Sequence, residues 1–425
     1  MNTLQLKEKL QNGALAKYGH LYRNIEAQSA RYLRVLEAFE AKFGQTEEVY
    51  LLSVPGRSEL SGNHTDHNFG KVLAGAIDRD IIAVVSPRRD GLVQLQSEGF
   101  PMDSVSIADV ADKNNFKKYS SGALIAGMLS AFAQRGLSIG GFDAYTETEV
   151  LKGSGLSSSA AFEVMVGNIL NHLYNGGKVD NKEIAKMAQY AENEYFGKPC
   201  GLMDQMACAV GSFVAIDFAD PKNPIVEPID FSLSDAGYAL CIVNTGGNHA
   251  DLNEDYASVP SEMKAVAKAL GNDVLRPVNE AALVEKIPAL RETVGDRAIL
   301  RALHFLGENE RVEKQKNALL NKDVAAFLQL ALASGDSSYK YLQNVYTTKN
   351  VSEQGLSLAL CLTEGFLKGK GCAWRVHGGG FAGTIQAYVK AELADEYCAF
   401  MDAVFGKGAC MRLAIRGEGA VAITL

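Results

Sequence analysis

The sequence predicts an α+β fold divided into two domains, and three observations carry that expectation. Its 425 residues exceed the roughly 100–200 that one core usually organises. Short β-prone runs, glycine loops and helical faces alternate through the first half, helical periodicity dominates to about residue 368, and strand spacing returns in the tail. Between them, Pro221-Lys222-Asn223-Pro224 has linker chemistry, which sets the expected domains at 1–220 and 221–425.

Taken in order, residues 25–43 carry Tyr32, Leu33, Leu36, Phe39 and Phe43 at helical spacing and stop at Gly44. The β-prone runs 81–85 and 92–96 flank Pro87-Arg88-Arg89-Asp90-Gly91, whose turn chemistry predicts a hairpin. Residues 142–150 read as a strand, and a Gly/Ser loop leads from it into a helix over 160–174 with Val164, Met165, Ile169, Leu170 and Leu173 on one face. Strand, glycine loop and helix in that order is a setting for phosphate binding. Strands follow at 212–218 and 239–243, then at 373–376 and 384–389 around a second glycine loop, and a helix at 392–405 precedes two short strands.

Composition narrows the function classes. Hydrophobic residues at 47% and charged residues at 22% describe an ordinary globular chain, and the apolar helical candidate 123–133 falls short of the ~20 residues of a membrane span. Forty-two Lys and Arg against 50 Asp and Glu leave a net charge of -8, so no global field draws nucleic acid or anionic lipid. An anionic ligand must then be held by local geometry. The N-terminus lacks the basic start and apolar stretch of a signal peptide, so a cytoplasmic protein is expected, as a monomer or weak dimer. Seven cysteines without C-x-x-C spacing read as buried free thiols.

Four segments could carry chemistry. In Gly153-Ser154-Gly155-Leu156-Ser157-Ser158-Ser159, small residues let backbone N–H groups approach an anion and the next helix presents its positive end. The bland alternative is a Gly/Ser turn. Gly378-Gly379-Gly380-Phe381-Ala382-Gly383 matches G-x-G-x-x-G but precedes a strand, so a close backbone approach at a site floor or a tight turn fits better than a dinucleotide fold. Pro55 to Asn68 is dense in hydrogen-bonding side chains suited to a polyol; a solvated loop or a metal set from Asn63, His64, Asp66 and His67 are the alternatives. Glu192 and Asp204 bracket a turn, with Asp204 either a buried base or a helix cap.

Together, in this order and spacing, the four segments resemble the galactokinase family of the galactokinase, homoserine kinase, mevalonate kinase and phosphomevalonate kinase (GHMP) superfamily, from about Phe39 onward. Pro55 to Asn68 is similar to P-G-R-V-N-L-I-G-E-H-T-D-Y-N, the Gly153 loop to G-x-G-L-S-S-S-A, and Cys200-Gly201-Leu202-Met203-Asp204-Gln205 to C-G-I-M-D-Q. The resemblance implies a GHMP-kinase-like architecture with its site in the interdomain cleft, and γ-phosphoryl transfer from ATP to the anomeric hydroxyl of a sugar, galactose first. It implies Asp204 at the C1-hydroxyl proton with Arg57 holding it ionised, and Mg²⁺ on Ser158 or Ser159 and Glu192. Residues 153–159 would surround the phosphates. His64, Asp66, the Gly201 backbone and Tyr256 would bind sugar hydroxyls, Tyr256 through a segment in which Ala257 and Val259 replace the family's Asn and Arg.

Departures concentrate on the sugar side. The signature Glu is Asn63, its Val-Asn is Ser58-Glu59, its Tyr is His67, and His377 and Ala382 add bulk to the Gly378–Gly383 loop, which resembles the family's third motif. In the family the signature carboxylate lies near the outer sugar hydroxyls. A neutral Asn63 therefore opens galacturonate, N-acetylgalactosamine or arabinose as acceptors, unless Glu59 substitutes for the lost charge. A non-catalytic galactose sensor is the other alternative, against which the intact Ser157, Ser158 and Ser159 argue.

Overall fold

The computed structural model describes residues 1–150, 155–198, 200–247 and 252–425. The chain runs α1 (Thr3–Gln11), α2 (Ile25–Phe43), β1 (Tyr50–Ser61), β2 (Lys71–Arg88), β3 (Leu92–Ser97), β4 (Met102–Ser106), α3 (Ser121–Gln134), β5 (Gly141–Thr148), α4 (Ser158–Tyr174) and α5 (Asn181–Tyr190). A π-helical stretch, Ala191–Phe196, extends α5; then come α6 (Met203–Val210), β6 (Phe213–Asp217), β7 (Ile225–Ile229) and β8 (Tyr238–Asn244). Helices α7 (Asn253–Ala269), α8 (Glu280–Thr293), α9 (Asp296–Leu320), α10 (Val324–Ser337) and α11 (Gly355–Leu367) follow, and β9 (Ala373–His377), β10 (Thr384–Lys390), α12 (Ala394–Phe405), β11 (Cys410–Leu413) and β12 (Val421–Ile423) complete the α+β fold.

Strands β1 and β2 are buried almost end to end because both faces of their sheet are covered. Alternation sorts their side chains. Leu51, Ile82 and Val84 pack with Tyr32, Leu36 and Phe39 of α2, whereas Leu52, Ala83 and Val85 join the main core with α3 and α4. Helix α2 starts where the Asn24 side chain accepts the Ala27 N–H, and ends at Gly44 as the periodicity predicts. The large sheet has the order β12-β1-β2-β5-β3-β4, with β6 and β7 branching from the first half of β2. The second sheet, β11-β8-β10-β9, turns Cys241 and Val243 toward α11 and α12, and Leu240 and Ile242 toward the main core.

Two local expectations are corrected. Strands β2 and β3 do not form a hairpin: β5 lies between them, antiparallel to β2 and parallel to β3. Gly141 permits that insertion, since a Cβ there would meet the Leu92 carbonyl at 2.5 Å. Residues 221–224 are not an interdomain linker but the turn between β6 and β7, whose register pairs Asp217 with Ile225. A cut between 220 and 221 therefore does not follow sheet membership, because β7 and β12 both pair in the large sheet. All seven cysteines are free, four of them buried. Among the described residues, no helix is long and apolar enough to cross a membrane.

Candidate active site

Strand β1 and the loop before α4 are fastened to each other through backbone. Gly56 allows the approach: a Cβ would lie 2.7 Å from the Leu156 carbonyl, and the next residue, Arg57, donates its own N–H to that oxygen at 3.1 Å. The Arg57 guanidinium then forks onto Asp204 in the first turn of α6, with Nε to Oδ1 and Nη2 to Oδ2 both at 2.8 Å, while Nη1 donates to the Gly155 carbonyl. Ser157 donates its hydroxyl to Asp204 Oδ2 at 2.5 Å. Burial pushes the Asp204 carboxyl up, but the Arg57 charge and the hydrogen bonds from Arg57 and Ser157 outweigh it and hold the group below the usual carboxylate range. Asp204 is thus an ionised carboxylate with 35% of its side chain open.

Ser157 takes a left-handed backbone (φ 61°) and spends its hydroxyl on Asp204, leaving the N-terminus of α4 without a side-chain cap. The leading N–H groups of α4 have no Ser157 side chain to cap them, an arrangement that suits phosphate oxygens. Ser158 and Ser159 stand half-buried in that first turn; Gly153 and Ser154 lie outside the described residues.

Glu192 sits in the π-helical stretch, 3% exposed. Lys198 Nζ lies 3.3 Å from its Oε1 and Gln205 Nε2 donates to its Oε2 at 2.7 Å. Burial and the neighbouring Glu192 push the Glu163 carboxyl well above its ordinary value. Glu163 Oε1 and Gln205 Oε1 are buried without a partner among the described residues. Glu192 and the uncommitted oxygens of Glu163, on α4, and Gln205, on α6, are hard donors, as are the serine hydroxyls that start α4, and donors of this kind suit Mg²⁺.

The loop after β1 is built from farther away. Helix α9 grips its backbone: Glu308 Oε1 accepts from Gly62 N and Ser61 Oγ at 3.0 Å each, and His304 Nε2 donates to the Asn63 carbonyl at 2.9 Å. Asn63 is 0% exposed. Its Nδ2 donates to Glu59 Oε1 at 2.9 Å and to the Gly378 carbonyl at 2.6 Å, and its Oδ1 accepts from Asn344 Nδ2 at 2.7 Å. His64 Nε2 donates to the Gly379 carbonyl at 2.8 Å, and Tyr256 donates to the Gly380 carbonyl at 2.8 Å with its ring edge-on to Phe381. The second glycine loop thus presents three successive carbonyls to the sugar-side residues. Asp66 reaches Gly201, where a Cβ would lie 2.7 Å from its Oδ2; burial pushes its carboxyl up, His64 opposes this and Asp204 adds to it.

Of the residues expected at the site, the structure joins Arg57, Gly155, Leu156, Ser157 and Asp204 in one hydrogen-bonded group, and Asp66 with Gly201 beside it. Asn63 and Glu59 instead meet each other inside the protein. Sequence reading missed His304, Glu308 and Asn344, which lie in helices and connections with no motif around them. It flagged Ser58 and His377 only as departures, yet they are partners: His377 Nε2 lies 3.1 Å from Ser58 Oγ, and Nδ1 2.8 Å from Thr384 Oγ1. Burial, with the Arg57 and Arg375 charges, lowers His377 to about 3, so the ring is neutral.

Similarity to known proteins runs over most of the chain. The model of the GHMP kinases N terminal domain matches residues 120–212, and that of the galactokinase galactose-binding signature matches residues 37–87. Galactokinase of Streptomyces coelicolor is 33% identical over 84% of this chain and 89% of its own length; that of Homo sapiens is 30% identical over 91% and 95%. A Lactococcus lactis galactokinase complexed with galactose superposes with a TM-score of 0.75 at 25% identity, covering 91% of this chain and 98% of its own. A mevalonate kinase, at 15% identity and a TM-score of 0.61 over 87% and 99%, shares the fold. By sequence over most of its length and by fold, the chain belongs to the galactokinase family.

Proposed function

We propose that this chain is an ATP-dependent galactose 1-kinase, transferring the γ-phosphoryl group to the anomeric hydroxyl. The observation that supports it best is Asp204, kept ionised by a bidentate Arg57 and by Ser157 while open on one side. A carboxylate so placed accepts the hydrogen bond of the C1-hydroxyl and takes its proton as the phosphoryl group arrives. Its lowered pKa makes it a weak base, which suits a transfer in which little proton movement precedes bond formation to phosphorus. Arg57 holds the carboxylate and faces charge developing beside it. The open N-terminus of α4 supplies N–H donors to phosphate oxygens.

Glu192 with Ser158 or Ser159 would hold Mg²⁺, which when bound offsets the charge on the β- and γ-phosphates. On the sugar side His64, Asp66, Gly201 and Tyr256 are the proposed hydroxyl partners. The reading places the enzyme in the cytoplasm, as a monomer or weak dimer.

Galactose is favoured over galacturonate by the Asn63–Glu59 hydrogen bond. The carboxylate absent at position 63 stands one hydrogen bond away at Glu59, paired at 3.6 Å with the fully buried Arg375, so the neighbourhood keeps a carboxylate and exposes no positive charge that would draw a C6 carboxylate. The test is ADP release with ATP and Mg²⁺ across galactose, galacturonate, N-acetylgalactosamine and arabinose, with phosphorus NMR of the product. Galactose 1-phosphate as the preferred product is expected; preference for galacturonate would overturn the charge argument, and binding of galactose without turnover would favour a sensor.

A further inference from the structure

Away from the cleft, three thiols meet beneath α12. Cys241 lies in the middle of β8, Cys410 opens β11, and Cys398 comes from α12. Sheet register puts the first two on one face: Cys410 stands opposite Val243, two residues beyond Cys241, and Arg412 stands opposite Cys241 itself. Cys398 Sγ is 3.0 Å from Cys410 Sγ and 4.0 Å from Cys241 Sγ, and all three sulfurs fall within 4.8 Å of one another.

The surroundings decide what such a cluster would bind. Tyr397, Met401, Ile385 and Val389 belong to the same apolar core. Nearby oxygen donors are committed: Asp402 accepts from Gly408 N and Cys410 N at 2.8 Å each, Asp395 pairs with Arg412 at 2.8 Å, and the Tyr397 hydroxyl is bonded to Thr363. Sulfur alone remains on offer among these groups. Packing of small apolar side chains accounts for one buried thiol or two. Convergence of three, from two strands and a helix, is a donor set.

We propose that Cys241, Cys398 and Cys410 form a three-thiolate site for one Cu(I) ion. Soft thiolates select soft ions, whereas structural Zn²⁺ takes four ligands and finds no fourth among the described residues. A trigonal ion with metal–sulfur bonds of about 2.3 Å spaces its sulfurs about 4.0 Å apart. Cys241 and Cys398 already have that spacing, and Cys410 has to withdraw from Cys398 by about 1 Å to reach it. Binding releases three thiol protons and leaves a complex of net charge two minus. Arg412, whose buried Nε has no hydrogen-bond partner among the described residues, offers positive charge on the same sheet face.

The test is anaerobic titration of the reduced, metal-free full-length protein with the Cu(I) complex of bicinchoninate. Transfer of one equivalent to the protein is expected, with near-ultraviolet thiolate-to-copper absorption, a raised Tm and no comparable effect of Zn²⁺. Cys398→Ser and Cys410→Ser each lose that equivalent while keeping the wild-type rate of sugar phosphorylation. Should a variant fold poorly, X-ray absorption of the copper-loaded wild type still decides, three sulfurs at one distance being expected. No copper transfer, transfer undiminished in both variants, two-sulfur coordination, or an intact mass lower by two hydrogens with Cys398 and Cys410 joined as a disulfide would each overturn the site.

Discussion

The two ends of the proposed site, phosphoryl and sugar, are constructed by different means. At the phosphoryl end, Arg57, Gly155, Ser157 and Asp204 meet directly, each from a motif recognisable in its own stretch of chain, and the joining force is one bidentate ion pair with a third donor. At the sugar end the ion pair is looser, with Arg375 Nη2 3.6 Å from Glu59 Oε1. Asn63 is held inside a network reaching Glu59, Gly378 and Asn344, and its loop is gripped by His304 and Glu308 of α9. In the proposed site, chemistry would thus rest on contact between motifs, and substrate reading on buried residues behind the ones that would touch sugar. The difference predicts that substitutions at the first end strike turnover and that those at the second strike stability and KM.

The largest effect belongs to Asp204→Asn. Removing the carboxylate deletes the proton acceptor and leaves the Arg57 guanidinium without its counter-charge, so kcat should fall by about 10³-fold with galactose KM little changed. Initial rates with circular dichroism as a fold control measure it. A loss confined to KM would erase the distinction between the two ends.

Next comes Asn63→Glu, which sets a second carboxylate at hydrogen-bond range of Glu59 and withdraws the donor from the Gly378 carbonyl. An unpaired charge in that buried site should cost about 3 kcal/mol in denaturant melts and raise galactose KM. Combining it with Glu59→Asn exchanges the two residues and restores one amide beside one carboxylate, so the double variant should recover most of the stability. If the losses simply add, the two residues are not a unit.

Glu308 gives a smaller effect that depends on pH. Burial raises its carboxyl, but Arg311, His304 and Arg375 together with Ser334 lower it to about 2. A carboxylate lowered in the folded state stabilises fully above its ordinary value near 4.5, and that contribution disappears as pH falls through 2. The stability gap between wild type and Glu308→Gln should therefore shrink by about 3 kcal/mol between pH 5 and pH 2. Melts across that range would show it, and a gap independent of pH would remove the charge from the role assigned to it.

How far these features could be read from residues follows the same division. Helix α2 was legible because its apolar spacing and Gly44 are local, and so was the meeting of the Gly155 loop with Asp204, because each motif announces itself and the family resemblance joins them. The expected hairpin failed because turn chemistry at residues 87–91 says nothing of β5, which arrives more than fifty residues later to take the place beside β2. Pro221 to Pro224 failed similarly: a hairpin turn and a linker share composition, and only the pairing of β6 with β7 separates them. At Asn63 the sequence offers both a lost charge and a replacement at Glu59, and spacing alone does not choose between them. The bond from Asn63 to Glu59, four residues away along a bulged strand, is a property of the fold.

Ser58 and His377 sharpen the comparison from the boundary between the two ends. Ser58 neighbours Arg57 in the chain, and His377 packs its ring against Gly155, where a Cβ would lie 3.2 Å from it. The pair touches the chemical group from behind without joining it. Ser58→Ala removes two neutral hydrogen bonds, to His377 at 3.1 Å and to Gln386 Oε1 at 3.4 Å, each worth about 1 kcal/mol, and leaves His377 its contact with Thr384. Turnover should fall no more than about threefold if Arg57 keeps its fork on Asp204. Because His377 is lowered to about 3, the pH profile of kcat between pH 5 and pH 9 should keep its shape in Ser58→Ala. A new inflection near neutrality would mean that the ring takes up a proton once Ser58 is gone, placing a cation beside Arg57 and making the pair a guard of the charge balance at Asp204 instead of a packing contact behind it.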